Sequence, residues 1–176
     1  PHTPCTPSPR FWDMYPEENL TLPPNPHGEI EDKPPFLQKV REQREEMPPE
    51  KFRTEPRTYR GALRRYLRGY YGCISQMDHA IGKILDYLER NDLAENTIVI
   101  YSSDHGDYAI EHGITEKAPG ICSDAVCRIP FICRWPGRFP AAQKSTHLVE
   151  SVDLAPTLCA LADLPSMPTA DGHDIT

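Results

Sequence analysis

The sequence predicts an α/β protein. Three observations carry this reading. An apolar stripe at helical spacing runs through residues 58–91. A short β-branched segment follows it at 97–102, and a second strand-like run stands at 129–134. Between the two lies the densest group of titratable residues in the chain. A long helix feeding a buried strand has the form of the second half of a β-α-β unit.

Each element follows from its residues. Residues 1–57 read as a long irregular arm, because most of the 20 prolines fall there, with pairs at Pro23-Pro24, Pro34-Pro35 and Pro48-Pro49. Proline removes a backbone donor and drives its predecessor towards extended geometry. A short charged helix is predicted at 35–46. An arm of this length in a compact protein is functional or wraps a larger body. The helix over 58–91 rests on Leu63, Tyr66, Leu67, Tyr70, Ile74, Met77, Ile81, Ile84, Leu85 and Leu88, three or four residues apart. Gly69 and Gly72 either loosen it or admit another backbone, and its tyrosines are predicted to pack in the core. Thr97 to Ser102 reads as a buried strand, short and free of charge. Pro130 is tolerable at the start of the second strand. A short helix is predicted over 152–161, capped by Ser151 or Asp153. At 176 residues the chain suffices for one domain with a core.

Composition removes several function classes. A formal charge of −7 argues against a nucleic-acid-binding surface. No apolar run has the length of a membrane span, and no His-Glu-x-x-His zinc-peptidase helix is present. The six cysteines show neither a CxxC pair nor zinc-finger spacing. Cys73, Cys133 and Cys159 are predicted to be buried free thiols. Cys122 and Cys127 are close enough to pair, and the sequence leaves their state open.

The chemistry concentrates in SSDHGDYAIEHGITEK, from Ser102 to Lys117. It starts at the carboxyl end of a predicted strand, the edge where α/β sheets bind ligands. Asp104 and His105 are adjacent and can converge on one divalent cation, the carboxylate suiting a hard ion. Two donors do not complete such a site, and an isolated Asp-His pair is more often a solvated turn. Lys117 is a flexible charge able to reach an anion, or an ordinary surface lysine. His2, between prolines, can act as a general acid, although spacing alone reads it as an exposed loop histidine.

Four stretches together resemble the formylglycine-dependent sulfatases of the alkaline-phosphatase-like superfamily. They are Pro1-His2-Thr3-Pro4 with its proline-rich continuation, Tyr70 to Gly82, the Ser103–Lys117 loop, and Arg128 to Leu158. The resemblance is collinear over almost the whole chain. It implies part of a mixed-sheet sandwich with flanking helices, with 1–57 as a loop arm and 58–176 as a helix, strand, metal loop, strand and helix core. It implies that Asp104 and His105 bind a divalent cation, usually calcium, that Lys117 holds a sulfate oxygen, and that His2 helps the leaving alcohol depart. Glu111 and His112 would shape the loop. The implied substrate is a sulfated small molecule or glycan. The implied compartment is periplasmic, extracellular or lysosomal in type, and no signal peptide is visible. Phosphonate or phosphodiester hydrolysis on the same scaffold is the alternative chemistry, and a non-catalytic binding module the alternative class.

One stretch invites a different assignment. CTPSPR, Cys5 to Arg10, looks like the Cys-x-Pro-Ser-Arg run around a sulfatase nucleophile, with Pro9 inserted. In the family that motif comes well before the Pro-His-x-Pro loop, whereas Cys5 lies inside the loop. Cys5 is therefore expected to be a loop residue, with formylglycine, the paired metal-binding aspartates and the C-terminal subdomain expected outside these 176 residues. On that expectation the chain alone has no sulfatase activity.

Overall fold

A 32-residue helix, α3 (Tyr59–Arg90), is the longest element of the protein. The computed structural model describes residues 4–23, 32–45, 59–117 and 122–176. Among the described residues the other α-helices are α1 (Pro9–Trp12), α2 (Pro35–Glu45), α4 (Asp124–Cys127) and α5 (Leu154–Leu161), and the strands are β1 (Val99–Ser102) and β2 (Phe131–Arg134). The chain forms two compact units, Pro1–Trp135 and Pro136–Thr176. Among the described residues no helix is long and apolar enough to cross a membrane.

The arm is less irregular than its prolines predict. Ser8 is extended and Pro9 opens α1 at its first position, where a missing N–H is no loss and a fixed φ is already helical. The proline that interrupts CTPSPR is thus a helix start. A 3-10 turn, Glu17–Asn19, follows. Both pack along α3. The Ser8 N–H donates to Gln76 Oε1 at 2.8 Å, and Arg68 Nε donates to the Trp12 carbonyl at 3.0 Å. The Trp12 ring lies against the Arg65 and Arg68 guanidinium groups, 4.9 and 4.8 Å from its centre. Tyr15 shares a 2.6 Å hydrogen bond with Ser75.

Gly69 decides how close the arm comes. A Cβ there would collide with the Cys5 carbonyl oxygen. Of the two roles open to this glycine, admitting another backbone is the one the fold uses.

The predicted stripe on α3 divides. Leu63 and Leu67 are buried with Leu20 and Ile110 in one cluster, flanked by Tyr15, Leu22 and Tyr66. Ile74, Met77 and Ile84 are exposed. The tyrosines also depart from simple core packing: Tyr71 is exposed and meets the Tyr15 ring at a tilt of 54°, and Tyr66 makes a polar contact described below.

Both strands are shorter than predicted, because Thr97, Ile98, Ile129 and Pro130 lie outside the ladder. Pro130 has no N–H to donate. They pair antiparallel, Val99 opposite Arg134 and Ser102 opposite Phe131. Arg134 reaches Glu89 on α3 at 2.6 Å, and Trp135 Nε1 donates to the Glu95 carbonyl at 3.0 Å.

In the second unit Asp153 stands at the N-cap position of α5, as predicted, but its side chain makes no cap hydrogen bond to that helix. A 3-10 turn, Ser151–Asp153, precedes it, and Glu150 forms a capping box with Asp153. Asp153 is buried. Its carboxylate accepts the N–H groups of Glu150 and His173, each at 2.8 Å, and these hold its pKa below the usual range.

All six cysteines are free. Cys73, Cys133 and Cys159 are half-buried rather than buried, and Cys122 and Cys127 are exposed.

Candidate functional site

The loop after β1 owes its shape to its apolar residues. Ile110 and Ile114 have no exposed surface. Ile110 joins the cluster under α3, while Tyr108 and Ile114 pack with Leu37 of α2, flanked by Val40, Ala125 and Val126. Each buried branched side chain favours folding by roughly 1.5–3 kcal/mol, so the loop is anchored at three points, with Asp104, Glu111 and Lys117 left exposed. Gly106 lies against α4: its N–H donates to the Val126 carbonyl at 2.7 Å, and a Cβ there would strike the Ala125 carbonyl.

Asp104, His105 and Lys117 meet at the mouth of this loop. The Asp104 side chain is 83% exposed. The His105 backbone N–H donates to its Oδ1 at 3.0 Å, and this above all keeps the carboxyl below its ordinary pKa. His105 Nδ1 is 2.7 Å from the Gly106 carbonyl, which can only accept, so the proton sits on Nδ1. The Nε2 lone pair is thereby turned outward. It lies 3.4 Å from Asp104 Oδ2 and 2.7 Å from Lys117 Nζ. The loop has gathered an anionic oxygen and an imidazole lone pair, with an ammonium held against the lone pair.

Glu111 and His112 form the turn in mid-loop. His112 has a left-handed backbone, φ 53°, and its Nε2 is 3.9 Å from Glu111 Oε1. His112 Nδ1 is buried with no hydrogen-bond partner among the described residues. His2 lies outside the described residues.

Sequence reasoning missed Tyr66. Its hydroxyl donates to the Asp107 carboxylate at 3.0 and 3.2 Å, joining α3 to the loop across 41 positions. Nothing local in either segment signals this pairing. Burial, then the Asp107 charge, raises the Tyr66 pKa.

The donor set suits a hard cation in part. Asp104 is an exposed, ionised carboxylate, and the Lys117 ammonium already shows that the His105 lone pair attracts positive charge. Among the described residues no three or more His, Cys, Asp or Glu side chains gather. Asp104 and His105 offer one carboxylate and one imidazole, against the six to eight oxygens calcium takes.

Cys5 is chemically different. It is buried beneath α3, and burial, with the Cys73 and Asp107 charges adding, pushes its pKa up to about 11. A thiol in that state is a poor nucleophile. In the folded protein Cys5 is expected to resist iodoacetamide at pH 8 while exposed Cys122 and Cys127 react, as read by peptide mass spectrometry. Because the folded pKa is raised, stability from the neutral thiol is complete below the unfolded value near 9. It is lost as pH rises towards about 11.

The sulfatase family model matches residues 1–164. The chain belongs to the sulfatase family. Mouse iduronate 2-sulfatase is 31% identical over 200 aligned positions, covering 96% of this chain and 35% of the relative. This sulfatase chain spans about a third of the length of the curated relatives it matches. A protein solved in complex with its substrate D-glucosamine-2-N,6-O-disulfate superposes with a TM-score of 0.82, at 23% identity over 99% of this chain and 45% of that one. A phosphonate monoester hydrolase from Silicibacter pomeroyi superposes with a TM-score of 0.74, at 22% identity over 99% of this chain and 34% of its own. These likenesses give the sulfatase chain its fold, the α/β architecture of the alkaline-phosphatase-like enzymes.

Proposed function

We propose that the full-length protein is a sulfuric ester hydrolase acting on a sulfated carbohydrate, and that residues 104–117 supply part of its cation and sulfate site. The observation that carries this is the Lys117 ammonium 2.7 Å from His105 Nε2, beside the exposed Asp104 carboxylate. In a family of sulfate-ester hydrolases, an ammonium beside an imidazole and a carboxylate supports the reading of anion-binding and cation-binding groups side by side. Asp104 Oδ2 and His105 Nε2 would be the donors to a divalent cation, calcium by family resemblance. When bound, such a cation neutralises charge developing on the sulfate oxygens. Lys117 leaves His105 to hold a non-bridging sulfate oxygen, and stabilises the charge that grows there in the transition state. His2 is assigned the proton delivered to the leaving alcohol oxygen. Glu111 and His112 keep the loop in shape. Cys5 takes no part as nucleophile, in keeping with its burial and raised pKa, and the family's formylglycine is assigned to another segment of the full-length protein.

The carbohydrate assignment is supported by the name of the mouse relative and by the disulfated glucosamine bound to the structural neighbour. The test is a direct comparison on the purified full-length protein. Hydrolysis of 4-nitrophenyl sulfate and of glucosamine 6-sulfate should exceed that of a phenylphosphonate monoester, and should fall on chelation and return with calcium. Faster phosphonate turnover would replace this reading with the alternative chemistry, and no turnover of either would leave a binding module.

A further inference from the structure

The part-buried Asp107 carboxylate accepts hydrogen bonds from both ends of the loop and from α3. Its Oδ1 accepts the Ala109 N–H at 2.7 Å and the Glu116 N–H at 3.1 Å. The Tyr66 hydroxyl of α3 donates to the same carboxylate, 3.0 Å from Oδ2. Beside these bonds the Tyr108 N–H donates to the Glu116 carbonyl at 3.1 Å. One carboxylate therefore joins the first turn of the loop, its last turn and the long helix.

The two residues whose N–H groups Asp107 accepts are conformationally unusual. Ala109 has φ 45° and Glu116 has φ 65°, both left-handed without being glycine. Such backbone persists only where its surroundings over-determine it. Glu116 also immediately precedes Lys117, so its dihedral angles aim the chain that carries the ammonium to His105.

We propose that Asp107, held by Tyr66, is a positioning residue: it clamps Ala109 and Glu116 in left-handed backbone and so sets where Lys117 stands relative to His105. This rests on the reading of Lys117 as the sulfate-holding group, but the clamp itself can be tested without it. The carboxylate acts here through its acceptor oxygens. Asn keeps one acceptor at the same reach, whereas Ala keeps none.

The experiment uses the full-length protein with Asp107→Ala, Asp107→Asn, Tyr66→Phe and Lys117→Ala, and the double variant Asp107→Ala/Lys117→Ala. Hydrogen exchange over the peptide containing residues 108–117 should accelerate in Asp107→Ala and Tyr66→Phe, and return most of the way to wild type in Asp107→Asn. Wild-type exchange in both of the first two would overturn the clamp, whether or not the protein turns over sulfate esters. For catalysis, Asp107→Ala should lower kcat on 4-nitrophenyl sulfate by about 10- to 100-fold with a smaller change in KM, at a temperature where the variant remains folded. In the Lys117→Ala background the same substitution should cost no more than about twofold, because a group acting through Lys117 has nothing left to position. Full additivity of the two losses would overturn the link to Lys117. A wild type inactive on sulfate and phosphonate esters would instead remove the functional reading, and the exchange result would then judge the clamp alone. Should Asp107→Ala fail to fold, Tyr66→Phe carries the exchange comparison, and Tyr66→Phe with Tyr66→Phe/Lys117→Ala carries the kinetic one.

Discussion

Lys117→Ala in the full-length protein is expected to lower kcat on an aryl sulfate by about 10²–10³-fold, the range found for removing one preorganised donor to a developing oxyanion. The melting temperature should move little. The Lys117 side chain is exposed, and among the described residues it reaches His105 Nε2 at the surface, so its removal falls within the small range of surface substitutions. Lys117→Arg is not expected to rescue, since a planar fork cannot occupy the place of a compact ammonium 2.7 Å from an imidazole nitrogen. Steady-state kinetics beside thermal melts would check both halves. A variant with full turnover would remove Lys117 from the sulfate site and, with it, the principal support for the proposed function.

The largest loss of stability is expected from Leu67→Ala. Leu67 is among the fully buried side chains, and it packs against Leu20 of the arm, Leu63 of its own helix and Ile110 of the loop. Truncation removes the transfer energy and leaves a cavity among three segments that cannot all collapse into it, a cost of about 2–5 kcal/mol. The substitution touches none of Asp104, His105 and Lys117. It should nevertheless loosen the loop, because Ile110 loses part of its seat. The check is a thermal melt together with hydrogen exchange over 108–117. An exchange rate unchanged despite a lowered melting temperature would mean that the loop is held by α2 and α4 through Tyr108 and Ile114 rather than by α3.

How much of this was readable beforehand depends on the range of each interaction. α3 was legible because its apolar repeat is local and long, and the structure moves its ends by one residue, to Tyr59 and Arg90. The strands were legible as β-branched runs, but their antiparallel pairing was not, since partner choice is a non-local property. The short helix inside CTPSPR was hidden by its prolines, which speak against helices in general and for them at one position, Pro9. Asp104, His105 and Lys117 were legible as a group from their density after a strand and from family resemblance. Their meeting was not: Lys117 stands twelve positions after His105, and what closes that distance is the buried set Tyr108, Ile110 and Ile114 together with the Asp107–Tyr66 bond.

Residue order thus sets the elements and the chemical types: a long amphipathic helix, two strands, and an ionisable loop at a strand's carboxyl end. Which of those groups stand together is left to long-range packing. Helical and strand periodicities arise from contacts a few residues apart and are written into composition and spacing. A hydrogen bond from Tyr66 to Asp107, or the collision a Cβ on Gly69 would make with the Cys5 carbonyl, depends on how distant segments share one buried volume, and that is settled only when the whole chain packs.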